Sequence, residues 1–445
     1  MTLKEHLRTN IHLALPVMAS QLGHVLVGVA DNMMVGRVGY IPLAGASLGN
    51  AIFYFFMTFG LGVTFAITPM VGFAHGRNQP QECGKVLRHG LYVNTLLGLI
   101  LLTGVMIIAN FLGYFGQQPE VVVQATPYLM IIGLTLLPMM VFQSFRQFSE
   151  GLSITRVPMM VSVSMNVLNV LLNYILIYGK LGFPALGLLG AGIATLIART
   201  GMALLVVTYV LTDKRFKPYL AGFGWRGLDK RMIRELLRIG MPAGLQFVFE
   251  VGAFGVAALM MGWISAATQA AHQISINLAS ITYMTVSGLG AAAAIRVGNQ
   301  LGQGNYRTMR TAGLTLVGMG AALMAFFAMV FVVGKHFLPT LYNDNPQVLQ
   351  IASSLLVIAA LFQLSDGIQV IALGALRGMK DVKIPMFITF TAYWVLALPL
   401  GYVLGFHTAM GPAGIWTGLF LGLTFAAVWT LWRFNHLALK KIAAG

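Results

Sequence analysis

The chain is 445 residues long, 58% hydrophobic and only 9% charged, with 28 Lys and Arg against 12 Asp and Glu and a net charge of +16. Soluble domains are about 25% charged, and a soluble fold of this length has too little interior for so much apolar side chain. The basic residues are dispersed between apolar runs rather than gathered on one patch, which excludes a nucleic-acid-binding surface as their explanation.

Hydrocarbon offers backbone amides no water, so a chain that crosses it is helical or a closed barrel. Barrels need alternating apolar and polar residues, whereas the apolar runs here are unbroken. At ~20 residues per span, twelve helices are predicted in chain order: Ile11–Val35, Ala44–Ala74, Val86–Leu112, Val121–Phe142, Val157–Tyr178, Leu188–Leu211, Ile239–Gly262, Ala271–Val297, Thr311–Val333, Leu349–Leu373, Ile384–Leu404 and Gly414–Phe434. The first run exceeds the ~7–15 apolar residues of a leader peptide and is read as a helix, with no cleavable signal. The longest polar stretch, 212–238, holds Trp225 with Gly222, Gly224 and Gly227 and is rich in Lys and Arg. It is expected to be a cytoplasmic linker, with Asp229–Arg238 as a short interfacial helix. The predicted organisation is therefore an all-α integral membrane protein of twelve transmembrane helices. An N-terminal six-helix lobe spans 1–211 and a C-terminal six-helix lobe spans 239–445. The single cysteine, Cys83, falls in a predicted polar loop and rules out an intramolecular disulfide.

Lys and Arg alternate from gap to gap. Counting from the N-terminus, every second gap is basic, and these gaps hold 24 of the 28. The intervening gaps hold only Arg37, Lys180 and Lys335, and Arg199 lies inside the sixth helix. This asymmetry predicts both termini on the cytoplasmic side of the inner membrane and supports the count of twelve, since a missed helix would scramble the alternation.

The halves repeat. Pro16 and Pro242 are 226 residues apart, as are Gly62 and Gly288, and Val71–Gly76 and Val297–Gly302. Pro158-Met159 and Pro385-Met386 are 227 apart, as are Gly151 and Gly378. Ala191-Gly192-Ile193-x-Thr195 recurs as Ala413-Gly414-Ile415-x-Thr417 at 222. Six helices per repeat is an even number, so the halves share orientation and are expected to be pseudo-symmetric bundles. Pro16 and Pro242 are candidate kinks at matching places.

Three of the twelve acids fall inside apolar runs: Asp31 in the first helix, Glu250 in the seventh and Asp366 in the tenth. A mid-membrane charge costs ~2.5–3.5 kcal/mol on insertion scales, so such a residue faces a wet cavity or a partner. Three acids with Arg199 leave a negative balance that favours cations, and carboxylates serve Na⁺ and H⁺ alike. Asn169 and Asn173 lie four apart on one face of the fifth helix, where their amides serve a cation, a carboxylate or a neighbouring helix. Gln273 is a further supporting polar residue. Gln246, His24 and His272 are polar candidates for a cavity lining. Phe56, Phe249, Tyr283, Tyr393 and Trp394 offer faces to flat cations. No P-loop, metal cluster, nucleophile motif or cofactor ligand set is present, so an enzyme is not expected and an ion gradient is the expected driving force.

Several segments together resemble the multidrug and toxic compound extrusion (MATE) transporters. They are Leu15-Pro16 and Asp31-Asn32-Met33-Met34-Val35-Gly36, Glu250, Ala271-His272-Gln273, Ile295-Arg296-Val297-Gly298, and Asp366 followed by Gly374-Ala375-Leu376-Arg377-Gly378-Met379-Lys380-Asp381. The resemblance covers essentially the whole chain and is strongest to the NorM branch, because the second half keeps both Glu250 and Asp366. It implies two six-helix bundles in a V and alternating access. It also implies export of small amphipathic, cationic compounds in exchange for Na⁺ or H⁺. By position, Glu250 and Asp366 would form a second-lobe cation site, with Na⁺ the only metal, and Asp31 with Asn169 and Asn173 a first-lobe site. Asn173 stands where some members carry a carboxylate. The implied protein is a functional monomer in the bilayer with no cofactor. The alternative is a lipid-linked saccharide flippase of the same wider superfamily, but its anionic substrate calls for a basic cavity.

Overall fold

A computed structural model describes residues 3–221, 223–224 and 227–444. The linker residues Gly222, Trp225 and Arg226 lie outside the described residues. The described chain is all-helical, and twelve helices are long and apolar enough to cross a membrane. They are α1 (Lys4–Gly36), α2 (Tyr40–Gly76), α3 (Pro80–Phe115), α4 (Pro119–Gly151), α5 (Arg156–Tyr178), α6 (Leu188–Thr212), α7 (Lys230–Ile264), α8 (Ala266–Gly302), α9 (Tyr306–Gly334), α10 (Pro346–Gly378), α11 (Lys383–Phe406) and α12 (Pro412–Ala444). Each predicted apolar run lies inside one of them. The helices run further because their polar ends keep helical backbone bonds beyond the hydrocarbon.

Two expectations fail at helix ends. Asp229–Arg238 is not a separate interfacial helix, because α7 runs from Lys230 to Ile264. Cys83 is not in a loop. It sits in the first turns of α3, fully buried, with its thiol 3.7 Å from the Val71 carbonyl oxygen.

The chain divides into two compact units, one of residues 1–18 and 245–445, the other of 19–244. The divisions fall two residues after Pro16 and two after Pro242. Each repeat therefore lends the start of its first helix to the other unit, and glycines receive those segments. In the first unit, a methyl group on Gly288 of α8 would stand 2.7 Å from the Met18 backbone nitrogen of α1. In the second, a methyl on Gly62 of α2 would stand 2.5 Å from the Gly244 Cα of α7. Without a large driving force between apolar helices in lipid, such close backbone approach is what binds them.

The same glycine logic joins α2 to α4 and α8 to α10. A Cβ on Gly151 would meet the Val71 Cβ at 2.8 Å and the Thr68 carbonyl oxygen at 3.0 Å. A Cβ on Gly378 would meet the Val297 Cβ at 2.9 Å and the Ala294 carbonyl oxygen at 2.8 Å. At its α4 end the second unit also buries an ion pair, Arg146 to Glu150 at 2.7 Å, with side chains 6% and 4% exposed. The linker docks on this unit through Phe216, which packs on Phe148. Asp229 adds to it, its backbone N–H donating to His89 Nε2 at 2.9 Å.

Candidate functional site

Each unit holds a cluster built around the acids of its apolar runs. In the first, α7 presents Glu250 and α10 presents Asp366, both buried at 6% exposure. Neither makes an ion pair among the described residues, and the two carboxylates interact electrostatically with each other. Tyr283 of α8 and Tyr393 of α11 lie within reach of both acids, and the Arg377 guanidinium within reach of Glu250 and Tyr283. Arg377 also lies 5.8 Å from the Phe247 ring centre. The cluster holds two carboxyl groups to one guanidinium.

Tyr393 owes its placement to a turn of π-helix, Thr391–Ala397, inside α11. The extra residue per turn rotates Tyr393 inward, where its hydroxyl exchanges hydrogen bonds with the Gln369 amide at 3.1 and 3.2 Å. It turns Trp394 toward α7, where the indole N–H donates to the Phe249 carbonyl at 3.0 Å. Gln246, one turn before Glu250, is buried, and its Oε1 has no hydrogen-bond partner. Phe249 packs edge-to-face on Phe390, ring centres 5.0 Å apart. Gln273 is exposed and donates to Asn277 at 3.1 Å, so the structure does not bring it to the acids. His272 is a core residue rather than a cavity lining. It is buried and accepts a hydrogen bond from the Trp416 indole at 3.1 Å.

In the second unit, Asp31 of α1 accepts a hydrogen bond from the Asn173 amide of α5. With the Asn169 amide turned so that its nitrogen faces the carboxylate, it donates to Asp31 Oδ1 at 3.1 Å. Its oxygen then accepts from the Thr195 backbone N–H at 3.3 Å. The three residues expected together are together. Asn173 is fully buried, and its Oδ1 has no partner. Beside them is a cavity of about 40 Å³ that Asp31, Thr195 and Arg199 all line. His24 stands apart in the same unit, 3.4 Å from Ser162 and within electrostatic reach of Arg146 and Arg199.

Sequence reasoning missed Gln369, Arg377 and Thr195 as site residues. Arg377 was legible as the residue eleven on from Asp366, three helical turns along the same face. Thr195 was legible in the repeat, because it matches Thr417. Gln369 carried no signal, since the π turn that brings Tyr393 to it has no signature in the sequence.

Among the described residues no group of three or more His, Cys, Asp or Glu side chains gathers as a metal site. What the two clusters offer is buried carboxylate with amide and hydroxyl oxygens, suited to one monovalent cation or a proton each.

The MatE family model matches residues 16–175 and 242–403, one match in each half of the chain. The chain is 36% identical over 444 residues to multidrug resistance protein MdtK of Yersinia pseudotuberculosis serotype O:1b (strain IP 31758), covering 98% of this chain and 96% of that one. It is 36% identical over 427 residues to the probable multidrug resistance protein NorM of Pseudomonas putida KT2440, covering 95% and 92%. A crystal structure of MATE in the bent conformation shares the fold at TM-score 0.89 and 18% identity, over 99% of this chain and 97% of that one. Paired six-helix repeats, buried acids on the seventh and tenth helices and near-full-length likeness agree: the chain belongs to the MatE family of multidrug and toxic compound extrusion transporters.

Proposed function

We propose that this protein is a secondary active antiporter of the inner membrane, exporting small amphipathic, cationic compounds in exchange for Na⁺ or H⁺ by alternating access. The observation that carries the reading is the pair of buried carboxylates, Glu250 and Asp366, in one cluster with a single guanidinium, Arg377, between them. A second buried acid beyond the one that a guanidinium can balance is costly, and a bound cation or proton removes the cost. Full-length relatives named as multidrug resistance proteins support the substrate class. In this reading Asp31 with Asn169 and Asn173 is a second cation site, in the first lobe (1–211), and 212–238 links it to the second lobe (239–445). Tyr283, Phe249, Gln246 and His24 contact substrate. The protein acts as a monomer with both termini cytoplasmic, as the Lys and Arg asymmetry supports. It performs no covalent chemistry and needs no cofactor.

Ion and substrate compete for the same negative charge, so binding of one weakens the other by a coupling of typically ~1–3 kcal/mol. The test is cationic-dye uptake into inverted vesicles under an imposed Na⁺ gradient or an imposed pH gradient. One gradient is expected to drive uptake, and Glu250→Gln to abolish it while the protein remains folded. Uptake unaffected by Glu250→Gln would overturn the assignment, and dye movement under neither gradient would remove the antiport reading.

A further inference from the structure

Arg199 is a charge the antiport reading leaves unused. It projects from α6 into the small cavity that Asp31 faces, whose remaining walls include Asn50, Tyr54 and Tyr128. Among the described residues, Asp31 and Arg199 are the only Asp, Glu, Lys or Arg side chains lining it. Yet the guanidinium is not paired with the carboxylate. It donates to Thr135 Oγ1 at 2.6 Å and lies 5.0 Å from the centre of the Phe53 ring. Asp31 is held by Asn173 instead, and the buried Asn173 Oδ1 beside it has no donor. A buried amide oxygen without a donor, next to a carboxylate, suits an incoming cation.

We propose that Arg199 is the resident counter-cation of the Asp31 site, a tethered guanidinium against which any coupling cation must compete. This rests on the reading of Asp31, Asn169 and Asn173 as a cation site. A guanidinium does not lose its proton in a protein, so the competitor is permanent. With the site empty, it balances the Asp31 charge. It does so from the Thr135 hydroxyl and the Phe53 face, where a hydrogen bond and cation–π attraction hold it within electrostatic range of Asp31. The cluster in the first unit has two acids to its one arginine, so a cation there keeps a carboxylate to itself. The result is unequal sites: the Glu250 and Asp366 cluster holds its ion tightly, and the Asp31 site holds its ion weakly and releases it readily. Arg199 also opposes entry of cationic substrate into this cavity.

The test uses full-length protein carrying Glu250→Gln and Asp366→Asn, so that any ion response comes from the Asp31 site. The readout is the NaCl concentration that half-saturates the rise in melting temperature, against choline chloride at equal ionic strength. Arg199→Met is expected to lower that concentration roughly tenfold, the scale of removing one partly screened unit charge nearby. Arg199→Lys, which keeps the charge, is expected to stay near the Arg199 parent, and adding Asp31→Asn to abolish the response. Arg199→Gln serves as a second neutral variant should the methionine variant fold poorly. An unchanged or absent Na⁺ response in both neutral variants overturns the proposal, as does a lysine variant that behaves like methionine. A response that survives Asp31→Asn instead overturns the underlying site reading.

Discussion

The two halves of the chain agree in their packing and disagree in their charges. Gly151 meets Thr68 and Val71 as Gly378 meets Ala294 and Val297. Gly62 receives Gly244 as Gly288 receives Met18. At the same offset of 226, however, Glu250 of α7 is matched by His24 of α1, and Asp31 by Ala257. At 227, Arg377 is matched by Glu150, which is tied to Arg146. At glycine contacts where two backbones touch, any larger residue forces a shift, and both halves carry glycine there. No such backbone contact holds the ionisable positions, and they differ between the halves. One half came to carry two acids to one arginine, the other a single acid beside Arg199.

That contrast is broken most severely at Arg146 and Glu150. Glu150→Ala leaves a buried guanidinium unpaired, which is expected to cost about 3–5 kcal/mol, seen as a large fall in melting temperature. The double variant Arg146→Leu with Glu150→Leu is expected to recover most of it, since an apolar pair of similar size needs no counter-charge. A double variant as unstable as the single would mean the pair's geometry, rather than its charge balance, is what the fold requires.

The glycine contacts come next in size. Gly151→Ala and Gly378→Ala each push a methyl to under 3.0 Å from a neighbouring valine Cβ. Overpacking of this kind costs about 1–3 kcal/mol. Because the contacts are the same in both repeats, the two losses are expected to be alike in thermal melts. A loss confined to one variant would show that the symmetry of packing is only geometric.

Much of this was open to inspection in the sequence. Long apolar runs predict twelve helices because a bilayer tolerates no other spanning structure. The same economy makes Asp31, Glu250 and Asp366 conspicuous. Less legible was anything decided by rotation about a helix axis. Gln273 sits in an apolar run like Gln246, yet one is exposed and the other buried. Cys83 is surrounded by polar neighbours in sequence and is buried, because the first turns of α3 pack on α2. The Arg146 and Glu150 pair was hidden by its position near a helix end, where charges ordinarily face water. Tyr393 reaches Gln369 only through the π turn, which shifts the register of everything after it.

That π turn supplies the finest comparison between the halves. Tyr393 of α11 is matched at 227 by Asn166 of α5. The Tyr393 hydroxyl is satisfied by Gln369, whereas the buried Asn166 Nδ2 has no partner. Removing a satisfied hydroxyl strands the amide it served, so Tyr393→Phe is expected to cost about 1–2 kcal/mol. Replacing an amide that is already unsatisfied by an apolar side chain of similar size forfeits no bond and ends a desolvation cost. Asn166→Leu is therefore expected to be neutral or to raise the melting temperature slightly, within about 1 kcal/mol. Should Asn166→Leu prove as damaging as Tyr393→Phe, Asn166 would have to be serving a bound water or ion. The second unit's polar interior would then be more fully occupied than its side chains alone reveal.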